Sequence, residues 1–389
     1  MILIGLFSCH SLKRDQDPAP LIQTSASRQV WGGFEIPDLE ALKGLKWSEQ
    51  DAFRWYKDKG WINGANFLPS TAGNMLEMWN AETFDPDTIR RELGWASELG
   101  MNTMRVFLPY ILWKEDSLAL ISRINLYLDI AAKQNIKTVF VLFDSVWHPY
   151  PETGKQPEPL PGIHNSIWVQ SPGLQFVMDP EEYSSLKDYV QGIMGHYSQD
   201  ERVLFWDLMN EPDNGNIPRY NKMQPQFKNQ YIYRLLSLTF LWARESHPDQ
   251  PLTAGVWTDD WSRESSMPFV RLQLDASDII SFHVYDDLKG SKNRVDQLLP
   301  YNRPLICTEY MARTIGSTLI DIAPYFQKNH IGAIHWGLVS GRSQTIYPWD
   351  SWQNPFTEEP AVWFHDILRP DGTPFDLRES KLFQKLNQK

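Results

Sequence analysis

The sequence predicts an α/β fold, a single (β/α)8 TIM barrel with an N-terminal cap and elaborated loops after its strands. Eight short runs of apolar, β-branched or aromatic residues alternate with longer helix-like segments between residues 61 and 338. Most of these runs are almost continuously apolar, which is typical of strands buried on both faces. A doubly wound sheet also alternates in this way, but no glycine-rich phosphate loop follows the first run, and eight units favour the barrel.

The eight predicted strands end before polar or turn-forming residues. In chain order they are WINGANFLP (61–69), NTMRVFLP (102–109), KTVFVLFD (137–144), VLFWDLMNEP (203–212), PLTAGVW (251–257), DIISFHVY (278–285), PLICTEY (304–310) and GAIHWGL (332–338).

The segments between the strands carry helix signals. In residues 85–100, Pro86 stands in the first turn and Gly100 at the end, which are start and stop signals. Residues 121–135 and 181–198 are amphipathic in the same way and are also predicted to be helices.

The chain is predicted to form one catalytic domain, residues 21–389, after a leader and linker of residues 1–20. Within it, residues up to 60 form an N-terminal cap, and residues 361–389 form a closing helix and tail. Three connections are long and follow the third, fourth and eighth strands: residues 145–180, 211–226 and 339–360. Each leaves the C-terminal end of a strand, the end that carries function in this architecture.

Composition limits the classes of partner. The formal net charge is −11 and no window is dominated by lysine and arginine, so a nucleic-acid partner is not favoured. The 17 tryptophans serve either the core or a flat surface for a ligand. We expect the chain to be a monomer.

The N-terminus, MILIGLFSCHS, resembles the end of a bacterial lipoprotein signal, in which Cys9 would be acylated. The basic region of such a signal is missing and the apolar part is short, so an ordinary frayed terminus is the alternative. The first interpretation predicts an exported protein, either a periplasmic or outer-envelope lipoprotein or a secreted one. Two cysteines cannot build a disulfide framework, and Cys307 is expected to be buried in an apolar run. No run of 18 apolar residues predicts a transmembrane helix.

Two glutamates stand at strand ends. Glu211 ends the fourth predicted strand and Glu309 ends the seventh, so on a closed barrel both point into the same mouth. Two carboxylates across one cleft are the minimal apparatus for breaking a glycosidic bond. One carboxyl group donates a proton to the leaving oxygen, and the other attacks the anomeric carbon.

The motifs around these glutamates, NEP (210–212) and TEY (308–310), resemble the signature of clan A glycoside hydrolases. The nearest likeness is to the family 5 type, which includes cellulases and mannanases, and it covers about residues 50–340. The resemblance implies that Glu211 is the general acid/base and Glu309 the nucleophile.

The resemblance extends to five further positions. It implies that Asn210 binds the 2-hydroxyl of the sugar and that Arg105 holds the nucleophile ionised. It also implies that Tyr285 contacts the nucleophile, that His283 contacts the acid/base or the substrate, and that Trp336 forms the floor under the cleaved sugar.

The third strand departs from the family pattern. It ends in LFDSVWHP, where Asp144, Trp147 or His148 stands in place of the usual residues, and its register stays open. Asn66, Glu77 and Trp79, after the first strand, are predicted to line the cleft, with Trp79 as a stacking platform. Trp257 and Trp261, after the fifth strand, are candidates for the same role, and Trp147 is predicted to bind the substrate.

Each candidate also has a purely structural interpretation. Glu211 and Asn210 could serve only a helix N-terminus, and Glu309 could be the buried ion-pair partner of Arg105. The histidine, tyrosine and tryptophan candidates could be ordinary packing residues. These alternatives stay open at the level of sequence.

The function predicted is a retaining β-glycoside hydrolase that acts by double displacement and needs no metal or cofactor. This chemistry requires a raised pKa for Glu211 and a lowered pKa for Glu309, the latter through Arg105 and Tyr285. The alternative is a non-catalytic carbohydrate-binding barrel, and transglycosylation would use the same residues. The sugar, the linkage and the choice between endo and exo action do not follow from the sequence.

Overall fold

The computed structural model describes residues 22–24, 28–31 and 34–387, and it confirms the barrel. Eight parallel strands coincide with the eight predicted ones. They are β4 (Asn63–Asn66), β5 (Thr103–Phe107), β6 (Lys137–Val141), β7 (Val203–Asp207), β8 (Leu252–Thr253), β9 (Ile280–His283), β10 (Leu305–Glu309) and β11 (Gly332–Trp336).

The strands are hydrogen-bonded in the order β8-β7-β6-β5-β4-β11-β10-β9. The ring closes between β8 and β9 through a parallel bridge of Val256 with Phe282, where the amide of His283 donates to the carbonyl of Val256 at 2.9 Å. In this ring β7 lies opposite β11. The loops that follow these two strands therefore start from opposite sides of the barrel.

The N-terminal cap begins with a three-stranded antiparallel sheet, β1 (Ile22–Thr24), β2 (Arg28–Trp31) and β3 (Phe34–Pro37). The side chain of Ile36 is buried in the main core. Cys9 and the rest of the predicted leader lie outside the described residues, so the lipoprotein interpretation stays a prediction. None of the described helices has the length and apolarity that crossing a bilayer requires.

Thirteen α-helices are described, and most pack around the barrel. They are α1 (Leu39–Leu45), α2 (Glu49–Lys57), α3 (Met75–Trp79), α4 (Pro86–Glu98), α5 (Tyr110–Lys133), α6 (Leu174–Val177), α7 (Tyr183–Tyr197), α8 (Pro218–Asn221), α9 (Lys228–Glu245), α10 (Pro268–Ala276), α11 (Leu288–Leu298), α12 (Leu319–Lys328) and α13 (Leu377–Leu386). Short 3-10 turns cover Pro180–Glu182, Leu299–Tyr301, Arg313–Ile315 and Trp349–Trp352.

The predicted helix signals act as expected in α4. Asp85 caps it by accepting from the amide of Thr88, Pro86 occupies the first turn, and Gly100 follows the end at φ +84°. In contrast, α5 begins at Tyr110 rather than near residue 121. The helix is interrupted at Asp116, which has non-helical backbone dihedrals. The carboxylate of Asp116 accepts from the amide of Ala119, so this residue caps a second helical stretch.

The barrel interior and the layer between barrel and helices form the core. Cys307 is fully buried there, as predicted. The three long connections contain only short helical turns, and all leave the C-terminal end of the barrel. This end is therefore both the irregular end and the one where the predicted site residues meet.

Candidate active site

The two predicted glutamates converge at the C-terminal mouth of the barrel. Glu309 is the last residue of β10, and Glu211 follows β7; they are 5% and 7% exposed. One carboxylate oxygen of each and a ring nitrogen of His283 all lie within 4.8 Å of one another. This separation is close to the distance of about 5–5.5 Å typical of retaining glycosidases and well below the roughly 6.5–9.5 Å of inverting ones.

Glu211 is held in an unusual backbone conformation. Its φ is +39°, in the left-handed region, and Pro212 follows it. The Oγ of Ser145 and the amide of Asn214 both donate to its carbonyl, at 3.0 and 3.1 Å. These hydrogen bonds from the surrounding loop stabilise a backbone conformation that an unfolded chain would rarely adopt. In this conformation the carboxyl group of Glu211 points into the mouth.

The side chain of Glu211 sits between two partners. The Nδ2 of Asn214 donates to Oε2 at 2.7 Å, and Oε1 lies 2.7 Å from the Nδ1 of His283. Burial raises its pKa to about 7, and the charge of Asp213 acts in the same direction. A carboxyl group with this pKa is still protonated in about half of the molecules at neutral pH, and it can donate that proton.

Glu309 receives two donors from the walls of the mouth. The Nη1 of Arg105 donates to Oε1 and the hydroxyl of Tyr285 donates to Oε2, both at 2.8 Å. The expectation that its pKa would be lowered is wrong: burial raises it above the ordinary value, and the charge of Glu211 adds to this. His283, Arg105 and Tyr285 counteract burial without reversing it.

Arg105 connects the two halves of the site. Besides Glu309, it donates from Nε to Asp207 at 2.9 Å, from Nη1 to Asn66 at 2.7 Å and from Nη2 to Asn210 at 2.8 Å. It is fully buried, and although burial alone would lower its pKa, the charges of Asp207 and Glu309 raise it above the ordinary value. A permanently charged guanidinium thus fixes side chains from four elements.

His283 stands between the two glutamates. Its Nδ1 is 2.7 Å from Glu211 and 3.6 Å from Glu309, and burial lowers its pKa to about 4. The imidazole is therefore neutral at neutral pH and links the glutamates without adding a charge. The predicted contact of this histidine with Glu211 is present.

The structure settles the register at the end of the third barrel strand. Asp144 is buried behind Asn210, whose Nδ2 donates to it at 3.2 Å, and the Nε1 of Trp168 donates to its other oxygen at 2.8 Å. Burial raises the pKa of Asp144 to about 6. Trp147 lies farther out, half-buried and stacked on Trp352 with centroids 5.9 Å apart.

Trp336 is half-buried at the end of β11, where it faces the mouth. Phe107 and Trp168 contact it edge-on, each at 6.0 Å between ring centroids. It lines a small cavity of about 20 Å³ together with Asn66, Phe67, Leu68, Asn165, Gly337, Val339, Ser343 and Thr345 among others. Trp336 is therefore partly accessible at this end of the barrel, and its role as the floor under a sugar stays a prediction.

Two predicted lining tryptophans are not in the cleft. Trp79 is fully buried: its Nε1 donates to the carbonyl of Phe107 at 2.8 Å and its ring stacks on Phe84. The prediction of a stacking platform there is wrong, because no face of the ring is left for a ligand. Trp261 is likewise buried, with its Nε1 bonded to the carbonyl of Thr258.

Asn66 lies at the mouth, but its side-chain amide is hydrogen-bonded to other residues of the protein. Its Nδ2 donates to the carbonyls of Thr308 and His335, and its Oδ1 accepts from Arg105. Glu77 pairs with Arg342 at 3.0 Å, away from the two site glutamates. Asn66 therefore orients the arginine, which adds a positioning role to the predicted one.

Sequence reasoning missed Asp207 and Trp349. Asp207 is a fully buried carboxylate at the end of β7 and the second ion-pair partner of Arg105, at 2.8 Å. An acidic residue inside the apolar run VLFWDLM was the signal that could have found it. Trp349 packs edge-on against Tyr285 at 5.1 Å, and no local pattern distinguishes it from the other tryptophans.

The trio of Glu211, His283 and Glu309 has the donor types and spacing that a metal ion could use. Glu309, however, already accepts from the guanidinium of Arg105 and from Tyr285. A second cation beside that guanidinium would be repelled, so the arrangement suits proton transfer better than metal binding.

No family model matches this chain, and no curated protein does. Solved structures do match. An exo-β-1,4-mannosidase from Opitutaceae bacterium strain TAV5 superposes with a TM-score of 0.54 at 15% identity, over 84% of this chain and 59% of that one. The chain thus matches less than two thirds of that protein's length.

Two further structures match over most of their length. A GH5_18 protein from Streptomyces cattleya has a TM-score of 0.53 at 11% identity, over 84% of this chain and 79% of that one. An endo-β-1,4-mannanase from Thermotoga petrophila has a TM-score of 0.53 at 10% identity, with 86% and 77% covered. The chain therefore shares the (β/α)8 fold of these glycoside hydrolase structures, which is the fold that its NEP and TEY motifs predict.

Proposed function

We propose that this chain is a retaining glycoside hydrolase that cleaves β-linked glycosides or polysaccharides by double displacement. The observation that carries the proposal is the separation of the two carboxyl groups, which have oxygens within 4.8 Å of each other in one mouth. Such a gap leaves no room for the water that an inverting enzyme places between its carboxylates and the sugar.

In the first step an oxygen of Glu309 forms a bond to the anomeric carbon, and the bond from that carbon to the leaving oxygen breaks. Glu211 transfers its proton to the leaving oxygen, so the alcohol departs neutral. Burial supports this role, because it raises the pKa of Glu211 to about 7. Arg105 and Tyr285 hold the attacking carboxylate in place and counteract the rise in the pKa of Glu309.

In the second step Glu211, now ionised, takes a proton from water. The oxygen of that water bonds to the anomeric carbon, and the ester bond to Glu309 breaks. While Glu309 is esterified it carries no charge, which favours the ionised form of Glu211 at the moment it must act as a base. Two inversions return the sugar with its original configuration.

The sugar is best sought among β-mannosides first. The solved structures of the same fold include proteins named as β-1,4-mannosidases and mannanases, although at identities of 10–15%. A panel of aryl β-mannosides, β-glucosides, β-xylosides and β-galactosides therefore begins with mannose. Turnover of none of them by the wild-type chain would favour the non-catalytic carbohydrate-binding barrel.

Product stereochemistry tests the mechanism. Proton NMR during hydrolysis of the active aryl β-glycoside should show the β-anomer first and the α-anomer only after mutarotation. First appearance of the α-anomer refutes double displacement.

Azide distinguishes the roles of the two glutamates. In Glu211→Ala, azide should attack the glycosyl-enzyme and yield a β-glycosyl azide. In Glu309→Ala, azide should replace the nucleophile and yield an α-glycosyl azide. Glu115→Ala, at an exposed position on α5, is the control and should show no azide product. Exchanged anomers would reverse the two assignments.

A further inference from the structure

The loop of residues 339–360 contacts loops that follow other strands of the barrel. It leaves β11, yet Trp352 stacks on Trp147 from the loop after β6 and contacts Tyr220 from the loop after β7 edge-on at 5.5 Å. Strands β7 and β11 are opposite in the ring. The long loops after β6, β7 and β11 therefore meet above the C-terminal end of the barrel.

The same loop is joined to residues 145–180 by a seam of hydrogen bonds. The bonds are Asn165 N to Ser343 O (2.9 Å), Gly162 N to Gln344 Oε1 (3.0 Å), Gln344 Nε2 to Leu160 O (2.8 Å), His164 N to Ser351 Oγ (2.9 Å) and Phe356 N to Gly162 O (3.1 Å). A Cβ at Gly162 would stand 1.8 Å from the carbonyl oxygen of Phe356, so this approach requires glycine. The seam roofs the ends of β4 and β5.

The space beneath the roof is small. The cavity beside Trp336 has a volume of about 20 Å³, room for about one water molecule. Asn165, Trp168 and Ser343 wall it, and the first and last of these belong to the seam. A sugar in the mouth between the two glutamates and Trp336 would therefore meet this wall, and the cavity behind it has no room for a second sugar on that side.

The opposite side of the mouth is not roofed by this seam. Trp257 is half-buried beside Tyr285, and Asp259, Asp260 and Asp286 are exposed on the loops after β8 and β9. Glu211, which protonates the leaving oxygen in the proposed function, follows β7, and β7 is the neighbour of β8 in the ring. The leaving group can therefore depart on the side of β8 and β9.

We propose that the enzyme acts on chain ends, removing one sugar at a time from the non-reducing end of a β-linked oligosaccharide. This inference rests on the proposed function and adds that the hydrolase acts at the end of the chain. The sugar that meets this wall is the one attacked at its anomeric carbon. A sugar with nothing before it in the chain is, by definition, the non-reducing terminal residue.

The test uses pentasaccharides of whichever sugar is turned over as an aryl β-glycoside, for example β-1,4-mannopentaose or cellopentaose. Each carries a fluorescent label at the reducing end, and half of each sample is also capped by a 4,6-acetal at the non-reducing end. The labelled, uncapped chain should shorten one sugar at a time, and the capped chain should stay intact.

Cleavage of the capped chain, or labelled di- and trisaccharides ahead of the tetrasaccharide, overturns chain-end action while leaving the hydrolase proposal in place. Intact uncapped pentasaccharides alongside turnover of the aryl glycoside also count against it. Inactivity on every aryl glycoside and oligosaccharide instead refutes the proposed function itself.

Opening the roof provides the second arm. Trp352→Ala should raise cleavage of the capped chain by about tenfold or more, because it removes the packing of the 339–360 loop on Trp147 and Tyr220. Trp55→Ala, a half-buried tryptophan on α2 that packs against Phe205, is the matched control and should not. If Trp352→Ala does not fold, Gln344→Ala removes two bonds of the seam with less loss of packing. Unchanged protection of the capped chain in a folded variant refutes the role of the roof.

Discussion

Replacing Glu211 by glutamine should stabilise the protein at alkaline pH, because the site holds this carboxyl group where ionisation is unfavourable. Glu211 is 7% exposed, and burial raises its pKa from the ordinary value of 4.5 to about 7. A raised folded pKa means that the folded state binds the proton more tightly than the unfolded state. Its contribution to stability is full below pH 4.5 and is lost as the pH rises through 7.

The size of the effect follows from this pKa difference. It corresponds to about 3 kcal/mol in the free energy of unfolding between acid and alkaline conditions. The wild type should lose about this amount from Glu211 as the pH rises, whereas Glu211→Gln keeps a neutral side chain throughout. The glutamine retains an oxygen that accepts from Asn214, so the contact at 2.7 Å survives the change.

Denaturant unfolding of both proteins at about pH 4.5 and about pH 8.5 measures the difference. The stability of Glu211→Gln relative to the wild type should rise by about 3 kcal/mol between the two pH values. Glu115→Gln controls for the loss of one negative charge at an exposed position. A rise of less than about 1 kcal/mol would show that Glu211 ionises in the folded protein without cost, and the proton-donor argument would fail with it.

Four further predictions concern the site. The rate constant kcat/KM should fall as the pH rises through about 7, because Glu211 loses its proton there. It should also fall as the pH is lowered into the acid range, because Glu309, with its raised pKa, gains a proton. A profile that is flat between about pH 6 and about pH 9 contradicts the assignment. Arg105→Met should lower the free energy of unfolding by about 3–5 kcal/mol, since it leaves Asp207 and Glu309 buried without their cation; a loss under about 1 kcal/mol argues against the ion-pair network. Tyr285→Phe should lower kcat/KM by about 10- to 100-fold, the equivalent of one hydrogen bond to a charged group, with the melting temperature as the check on folding. Activity should survive EDTA and dialysis, and a loss restored by a divalent cation would place a metal at the trio of Glu211, His283 and Glu309.

The sequence alone determined the architecture. All eight strands could be predicted, because strands that are buried on both faces consist of short apolar runs. The barrel follows from the number of these strands and from their alternation with helices. The two glutamates could be placed in one mouth for the same reason: the C-terminal ends of parallel strands meet at one end of a barrel. The contacts of Arg105 with Glu309 and of Tyr285 with Glu309 were likewise predicted from the motifs.

The tertiary structure decided what depends on burial and on distant loops. Whether Trp79 or Trp336 faces the cleft cannot be read from local pattern, since the same ring serves a core or a platform according to what packs around it. The pKa of Glu309 rose where local partners argued for a fall, because burial sums over the whole environment and outweighs any single neighbour. The roof over the mouth likewise joins residues nearly two hundred positions apart, as in the bond from Gly162 to Gln344, and hydrogen bonds between irregular loops leave no periodic signal in a sequence.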